Sequence, residues 1–404
     1  MAISDLLLLA VIASVPIQLG KIFWPDFAFV LGIPIDYLAI IFYLTDFIIL
    51  GYIFFFMIEH FSFRNFKYIK EQSRRLKYFL FILLLLNFYL LFSALFISNS
   101  SLLPLWLSMR FFILSIFGFF AVITLSGSKL YKWSLWTFSF SLIWQSILIF
   151  LQFIFQKSLG LWFLGERSFD SSTVAIAHLQ ILGRQLLRPY GTFPHPNVAA
   201  AFLIVCLILL KNKILTSIIA VCAIVLTYSQ AAYLAVAAIP LFSIKSFKSL
   251  LAFGILLVFL VWVLLKQLPD SQFASIAERL ILLQASLDIS FSHPLFGVGN
   301  GNFIGELAKF DLTSIAEIRL LQPVHNVFLL ILAENGFIGL SLFILLLLAI
   351  AKKANSPAKI ALFVSLLIFA SFDHFLWTLQ QGRLIFWLAT VYILAKPGQN
   401  TQKH

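Results

Sequence analysis

A histidine and two arginines give this largely apolar sequence its clearest chemical potential, because these residue types move protons and bind phosphate. Arg188 opens RPYGTFPHPN, Arg279 lies in ERLILLQASLDISFSHP, and His325 lies in PVHNVFLLILAENGFIGL. Imidazole titrates at about pH 6.5, so His325 can take a proton from a hydroxyl at neutral pH. The guanidinium groups of Arg188 and Arg279 can hold a pyrophosphate through bidentate, charge-assisted hydrogen bonds. These residues predict a site that binds phosphate and removes a proton.

The same residues have simpler interpretations, which the sequence alone leaves open. His325 stands where a long connection enters an apolar segment, so it can also be an interfacial anchor for the helix end. A single arginine near a membrane surface is more often a lipid headgroup contact than a site residue. Asn197 can cap the helix that follows it.

Charged residues inside apolar segments need partners. Arg110 and Asp46 are such residues, and an ion pair between them is the economical arrangement, although Arg110 could also line a groove beside a lipid phosphate. Glu334 precedes Asn335 and Gly336, and we interpret it as serving a break in the helix.

Other polar residues supplement this set. Asp373 or His374, in FDHFLWTLQQGR, could orient His325 or contact a sugar. Further candidates for phosphate binding are Arg319, Arg184 and Arg167, and those for acceptor binding or support are His195, Asn197, Asn326 and Asp373.

Composition excludes a soluble globular protein. Of the 404 residues, 62% are hydrophobic and only 11% are charged, which is typical of a polytopic membrane protein. The net charge of +12 does not indicate nucleic-acid binding, because the basic residues are dispersed among apolar segments. Cys206 and Cys222 have no metal-ligand or redox spacing, and we assign them to packing. No paired-aspartate metal motif is visible, so we expect no metal and no cofactor.

Segment lengths predict an all-α integral membrane protein, a single polytopic domain over residues 1–404 with about twelve spans. The spans are predicted near 3–20, 35–58, 77–97, 104–126, 134–156, 197–210, 213–228, 230–244, 249–265, 326–350, 358–372 and 383–396.

Lysine and arginine predict the orientation of these spans. They gather in alternate connections at 64–77, 129–132, 211–213, 245–248 and 352–359, and in the tail, so both termini are expected in the cytoplasm. Two long loops, 157–196 and 266–325, then face outward, and the second is expected to bear the active-site face.

Both outer loops are predicted to contain amphipathic helices. In the second, Ser275 and Glu278 form a capping-box pattern, and Ile276, Leu280, Leu283 and Leu287 recur at helical spacing. Such a helix would lie on the membrane face. The first loop has a comparable apolar and basic stretch at 174–187.

The three segments quoted for Arg188, Arg279 and His325 together resemble the superfamily of O-antigen ligases and Wzy-type O-antigen polymerases. The topology resembles it over nearly the whole chain, and the specific residues fall between Arg188 and Leu340. The resemblance implies a metal-independent membrane glycosyltransferase of cell-envelope polysaccharide and lipopolysaccharide biosynthesis. Its donor would be a glycan on undecaprenyl pyrophosphate, used outside the bacterial cytoplasmic (inner) membrane. His325 matches the essential histidine of the family, and Arg188 and Arg279 match arginines that engage the pyrophosphate.

One departure from the family pattern affects the phosphate site. The family often has a Ser-Arg pair after the seventh span, where this chain reads YSQAAYL with Gln230 in place of the arginine. Arg110, Arg184 or Arg319 would then have to substitute for it.

The expected mechanism is a single inverting displacement with His325 as general base. The acceptor hydroxyl could belong to a lipid A core sugar, to the growing glycan or to a protein, and the sequence leaves these three open. A different class, a transporter or flippase of a lipid-linked glycan or another solute, also explains buried charges in a polytopic chain, but it gives no reason for two structured outer loops.

Overall fold

The computed structural model describes residues 1–60, 63–98, 102–173, 176–181, 184–210, 214–239, 270–309 and 320–396, most of which are helical. The helices are α1 (Ile3–Ser14), α2 (Leu44–His60), α3 (Phe63–Arg75), α4 (Lys77–Phe96), α5 (Leu102–Leu125), α6 (Leu130–Phe155), α7 (Pro196–Leu209), α8 (Ile214–Leu226), α9 (Gln230–Ala238), α10 (Asp270–Ser292), α11 (Phe303–Leu307), α12 (Val327–Ala351), α13 (Pro357–Phe372), α14 (Phe375–Thr378) and α15 (Gln380–Leu394). The strands are β1 (Gly20–Phe23), β2 (Phe29–Val30), β3 (Ile33–Pro34), β4 (Ile40–Tyr43), β5 (His178–Ile181) and β6 (Arg184–Leu187).

Long apolar runs form helices, as predicted. Four of the helices in the described ranges, α4, α5, α6 and α12, are long and apolar enough to cross a membrane. Shorter apolar helices, α1, α7, α8 and α13, accompany them. Of the predicted spans, the one at 249–265 lies outside the described residues and each of the others overlaps a helix, although those at 3–20 and 35–58 are only partly helical. The mostly helical fold with candidate membrane spans is therefore confirmed, whereas the number of twelve spans stays a prediction.

The connection between the first two helices is longer than predicted. The first helix ends at Ser14, two residues before Pro16, and the second begins at Leu44. Between them β1 pairs with β4 in antiparallel register, with Gly20 opposite Tyr43, and β2 pairs with β3. Proline removes a helical hydrogen bond, and the β-branched and aromatic residues of this stretch favour strands. We call residues 15–43 the hairpin segment.

The first long loop also folds as strands, so the amphipathic helix predicted there is wrong. Strands β5 and β6 form an antiparallel hairpin with His178 opposite Leu187. Leu187 is buried in a small cluster with Phe169 and Tyr190. Antiparallel pairing and the burial of Leu187 therefore fix the structure of the two strands.

The helix predicted in the second long loop is present as α10. It begins at Asp270, so Ser275 is not its N-cap and the capping-box interpretation is wrong. Its buried face carries Leu282, Ala285 and Ile289. The predicted apolar stripe faces the other way and is exposed at Ile276, Leu280 and Leu283, as a lipid-facing stripe would be in the absence of lipid.

The break in α12 is built by the loop that follows α10. Gly336 has φ 62° and ψ −169°, a conformation that in practice only glycine adopts. The loop repairs the interrupted helical hydrogen bonds, because Val298 N donates to Ala333 O (3.0 Å) and Gly299 N to Glu334 O (2.8 Å), while Phe337 N donates to Pro294 O (2.8 Å). The Glu334 carboxylate accepts a long hydrogen bond from Phe303 N (3.4 Å), at the start of α11. The backbone carbonyl of Glu334 therefore takes part in the break, whereas its carboxylate contacts the start of α11.

Basic connections meet at one end of the helix bundle, as the charge pattern predicts. Arg75 donates to Leu394 O (2.8 Å), and Lys359 Nζ donates to Ala395 O (2.8 Å). Lys396 O accepts from Gly127 N (2.8 Å). We call this the basic end. The start of α12, the end of α13 and the start of α15 consequently lie at the opposite end.

We expect Gly336→Ala to destabilise the protein by about 2 kcal/mol or more, because the backbone conformation excludes a Cβ atom. An added Cβ would lie 2.3 Å from the backbone carbonyl of Leu295. Thermal unfolding of the purified protein in detergent would measure the loss. Gly305→Ala is the matched control, since a Cβ there meets nothing within 4 Å. Equal unfolding temperatures for the two variants would contradict the assigned role of Gly336.

Candidate functional site

A cavity of about 490 Å³ lies at the end of the bundle opposite the basic end. Its walls are formed by the hairpin segment, the first half of α5, the connection before α7, the residues before α12 and the turn between α13 and α15. Its polar lining includes Asp36, Tyr37, Arg110, Arg167, His195, Gln322, His325, Asp373, His374, Gln380 and Arg383. The hairpin segment was not predicted as part of the site, because its two ends, residues 15–20 and 35–43, were predicted to belong to membrane spans.

His325 and Asp373 face each other in this cavity. His325 lies just before α12 and Asp373 just after α13, so two helix ends bring together residues 48 positions apart. Their closest approach is 3.7 Å, between His325 Nδ1 and Asp373 Oδ1, which is an ion-pair distance rather than a hydrogen bond. His325 Nδ1 has no hydrogen-bond partner among the described residues. A proton on Nδ1 is stabilised by the carboxylate, which leaves Nε2 as the acceptor nitrogen.

Asp373 is also tied to Arg188 through Asn197. Asn197 Nδ2 donates to Asp373 Oδ2 (2.8 Å), and Asn197 Oδ1 accepts from Arg188 Nη2 (2.9 Å). The backbone N–H of His374 donates to Asp373 Oδ1 (2.8 Å). The predicted phosphate-binding arginine and the predicted base are therefore linked by one polar chain, Arg188–Asn197–Asp373–His325.

Burial and charge fix the protonation of this chain. Burial alone would raise the pKa of Asp373, but the adjacent His325 and His374 lower it below its usual value, so the carboxylate is ionised at neutral pH. Burial, assisted by the charge of Arg279, lowers the pKa of Arg188 to about 10. Arg188 therefore remains a cation at neutral pH, and the effect of Arg279 places the two predicted arginines in one electrostatic neighbourhood.

Arg188 also contacts the turn in which the family arginine is replaced. Its Nε donates to Thr227 O (2.9 Å), three residues before the exposed Gln230. Ser229 caps α9 through its side chain. The sequence offered Arg110, Arg184 or Arg319 as substitutes at this position, but the described arginine that reaches the turn is Arg188 itself. Arg319 lies outside the described residues, and Arg184 is exposed on β6.

His195 and Asn326 have helix-capping roles. His195 Nδ1 accepts from Asn197 N (3.1 Å) and caps α7, so the prediction that Asn197 caps this helix is wrong. Burial, followed by the charge of Arg188, lowers the pKa of His195 to about 3, so its imidazole is neutral. Asn326 caps α12 by accepting from Leu329 N (3.0 Å) and is not among the residues that line the cavity.

Arg110 forms the ion pair predicted with Asp46. The closest distance is 3.0 Å, and Gln380 joins the pair by accepting from Arg110 Nη2 (2.5 Å) and donating to Asp46 Oδ1 (2.8 Å). Sequence reasoning missed Gln380, although an amide in the first turn of an apolar helix is a usable signal. Since its charge is matched by Asp46, Arg110 is a weaker phosphate ligand than predicted.

The turn after α13 provides a second histidine that was not assigned a defined role. The ring of His374 lies 5.3 Å from that of His325 and 5.3 Å from that of Tyr37, and its Nδ1 lies 2.7 Å from Thr378 Oγ1. His325, Asp373 and His374 each place one potential ligand atom within 4.8 Å of the others. Three such ligands are sufficient for a catalytic zinc ion, so this set is a chemical alternative to a metal-free base.

Comparison with known proteins gives a match for part of the chain. No curated protein matches the chain. Residues 215–344, just under a third of the sequence, match the family model described as O-antigen ligase. The matched segment contains Arg279 and His325, whereas Arg188, Asn197 and Asp373 lie outside it. The match shows that residues 215–344 are similar to the O-antigen ligase family, and it supports a glycan-transfer function in a membrane protein.

Proposed function

We propose that this protein is a membrane glycosyltransferase that moves a glycan from undecaprenyl pyrophosphate to an acceptor hydroxyl. The reaction takes place at the outer face of the bacterial cytoplasmic membrane, with both termini inside, and contributes to cell-envelope polysaccharide. The observation that carries the proposal is the pairing of His325 with Asp373 inside the cavity (3.7 Å), in a chain whose matched segment contains His325.

His325 is the general base of the proposed reaction. The acceptor oxygen attacks the anomeric carbon while its proton passes to His325 Nε2, and the bond from that carbon to the pyrophosphate oxygen breaks. Undecaprenyl pyrophosphate leaves with the electron pair, and the anomeric configuration inverts. Asp373 holds the imidazole in the tautomer that exposes Nε2 and stabilises the imidazolium that forms.

Arg188 and Arg279 are the proposed ligands of the donor pyrophosphate. A pyrophosphate is a stabilised leaving group, and cations beside it lower the barrier to its departure without a proton donor. Arg188 is preorganised by Asn197 and Thr227, which hold its guanidinium through two hydrogen bonds. Arg279 has no hydrogen-bond partner among the described residues, so its fork is available to substrate.

The acceptor is proposed to enter the polar cavity from the side of the hairpin segment. Tyr37 and Gln322 line this part, together with the neutral His195, and they suit hydroxyl groups of a saccharide. A lipid A core sugar, a growing glycan and a protein hydroxyl all present the same attacking group. The ligase, the polymerase and the protein glycosyltransferase therefore share this chemistry and differ in what the cavity admits.

His325→Ala is expected to lower kcat by about 10²- to 10⁴-fold, the usual contribution of a general base. Asp373→Asn is expected to lower kcat less and to leave the KM for the donor unchanged, since it acts through His325. Release of undecaprenyl pyrophosphate by the purified protein in nanodiscs measures both. His293→Gln, at an exposed histidine in the loop after α10, is the control. Full activity of His325→Ala in correctly inserted protein would refute the proposed mechanism.

Arg279→Gln is expected to raise the KM for the donor about tenfold and to change kcat less, because a charge-assisted contact to substrate contributes about 1.5 to 3 kcal/mol. Initial rates over a range of donor concentrations, at fixed acceptor, provide the measurement. An unchanged KM would remove Arg279 from the donor site and leave the interpretation of a lipid headgroup contact.

Dialysis against a chelator distinguishes a general base at His325 from a metal ion bound by His325, Asp373 and His374. A general base needs no ion, so we expect transfer to proceed at the same rate after dialysis against EDTA. The control is the same protein supplied with Zn²⁺ or Mg²⁺ after dialysis. Loss of activity that returns with one of these ions would assign the three side chains to a metal centre instead.

A further inference from the structure

Arg383 is a cation of the cavity that the proposed mechanism does not use. It lies in the first turn of α15, and its Nε donates to Trp377 O (2.6 Å), which fixes the plane of the guanidinium. It has no ion pair and no further hydrogen bond within the part of the chain that the structure describes. Arg383 lines the cavity with its remaining donors uncommitted.

The neighbouring Arg110 provides a contrast, because its guanidinium is bound by several other residues of the protein. Its guanidinium forms an ion pair with Asp46 and donates hydrogen bonds to Gln380 Oε1 and to Ile41 O (3.2 Å). The protein thus binds the guanidinium of one of two neighbouring arginines through Asp46, Gln380 and Ile41, and that of the other through a single carbonyl. An arginine in an apolar bundle costs free energy unless it is paired, so an unpaired one at a cavity wall indicates that a ligand supplies the charge.

Arg383 also stands at the boundary between polar and apolar surroundings. Together with Leu107, it lines both the cavity and a narrow crevice between α5, α12 and α15. The crevice is walled by Phe111, Phe343 and Trp387, and its volume of about 30 Å³ admits a lipid chain only after these side chains move. The crevice therefore marks the direction in which an apolar tail attached to a bound anion would extend.

The surroundings of Arg383 differ from those of the proposed donor site. Arg383 lines the cavity, whereas Arg188, which is bonded to Asn197 and Thr227, and Arg279 are not among its lining residues. The two guanidinium groups of Arg188 and Arg383 therefore occupy different places in the structure. A lipid-borne acceptor brings a phosphate of its own that a second cation can bind, whereas a protein hydroxyl brings none.

We propose that Arg383 binds a phosphate of the acceptor, and that the acceptor is therefore a phosphate-bearing lipid rather than a protein. This inference rests on the proposed function for the identity of the reaction. The chemistry required of the ligand is a phosphate or pyrophosphate monoanion or dianion joined to an apolar chain. A lipid-linked glycan and a phosphorylated glycolipid both meet it.

The test compares Arg383→Gln, Arg383→Lys and wild type by kinetics in nanodiscs, with each of the two lipid acceptors supplied in turn. Arg383→Gln is expected to raise the KM for one lipid acceptor about tenfold and to leave the KM for the donor unchanged. Arg383→Lys should restore part of the loss, because it retains the charge without the fork. Arg74→Gln, an exposed arginine on α3, removes the same charge elsewhere. The acceptor that loses affinity identifies the source of the phosphate.

Binding of polyprenyl phosphate to the full-length protein separates this inference from the proposed function. Two binding sites per chain are expected, one weakened by Arg383→Gln and the other by Arg279→Gln, whereas polyprenol without phosphate should not distinguish wild type from either variant. Arg383-dependent binding without any transfer would overturn the proposed function and keep the anion site. Transfer with unchanged acceptor KM in Arg383→Gln, or efficient transfer to a protein acceptor, would overturn the inference and keep the proposed function.

Discussion

The buried carboxylate of Asp373 is the group on which the arrangement of the site depends. An ionised carboxylate away from water needs several partners, and it obtains them from three elements: Asn197 at the start of α7, the backbone of His374 before α14, and His325 before α12. Two of these partners are themselves fixed, Asn197 by Arg188 and His374 by Thr378. Satisfying one charge therefore sets the relative positions of three helix ends and, with them, the orientation of the imidazole.

The helix break at Gly336 also positions elements at this end of the bundle, through backbone hydrogen bonds rather than through a buried charge. A straight α12 would leave no acceptors for the loop after α10, whereas the glycine conformation frees carbonyls at Ala333 and Glu334 for Val298 and Gly299. This docks the loop, and α10 with it, against the same helix that begins beside His325. The loop after α10 is therefore anchored to α12 through backbone hydrogen bonds rather than through the site itself.

The sequence predicted the elements whose cause is local. Long apolar runs became helices, Asp46 and Arg110 paired, and Asn335-Gly336 marked the break. It failed where structure depends on partners distant in the chain. The stretch 174–187 has helix-compatible composition, yet strand pairing and burial of Leu187 against Phe169 and Tyr190 decide its conformation. The two ends of the hairpin segment, residues 15–20 and 35–43, were predicted as parts of spans because they are as apolar as the helices that they adjoin, although the adjacent prolines were a usable signal.

The same difference between local causes and partners distant in the chain applies to the site. Residue chemistry and family motifs selected His325, Arg188 and Arg279, but only the fold brings Asp373 and Asn197 between them, since 176 residues separate these two. The contrast between Arg110 and Arg383 was also invisible in sequence, because both are single arginines in apolar helices. What distinguishes them is the presence of Asp46 and Gln380 beside one of them. Charge pairing in three dimensions, rather than residue type, separates a cation that holds helices together from one that is open to a substrate.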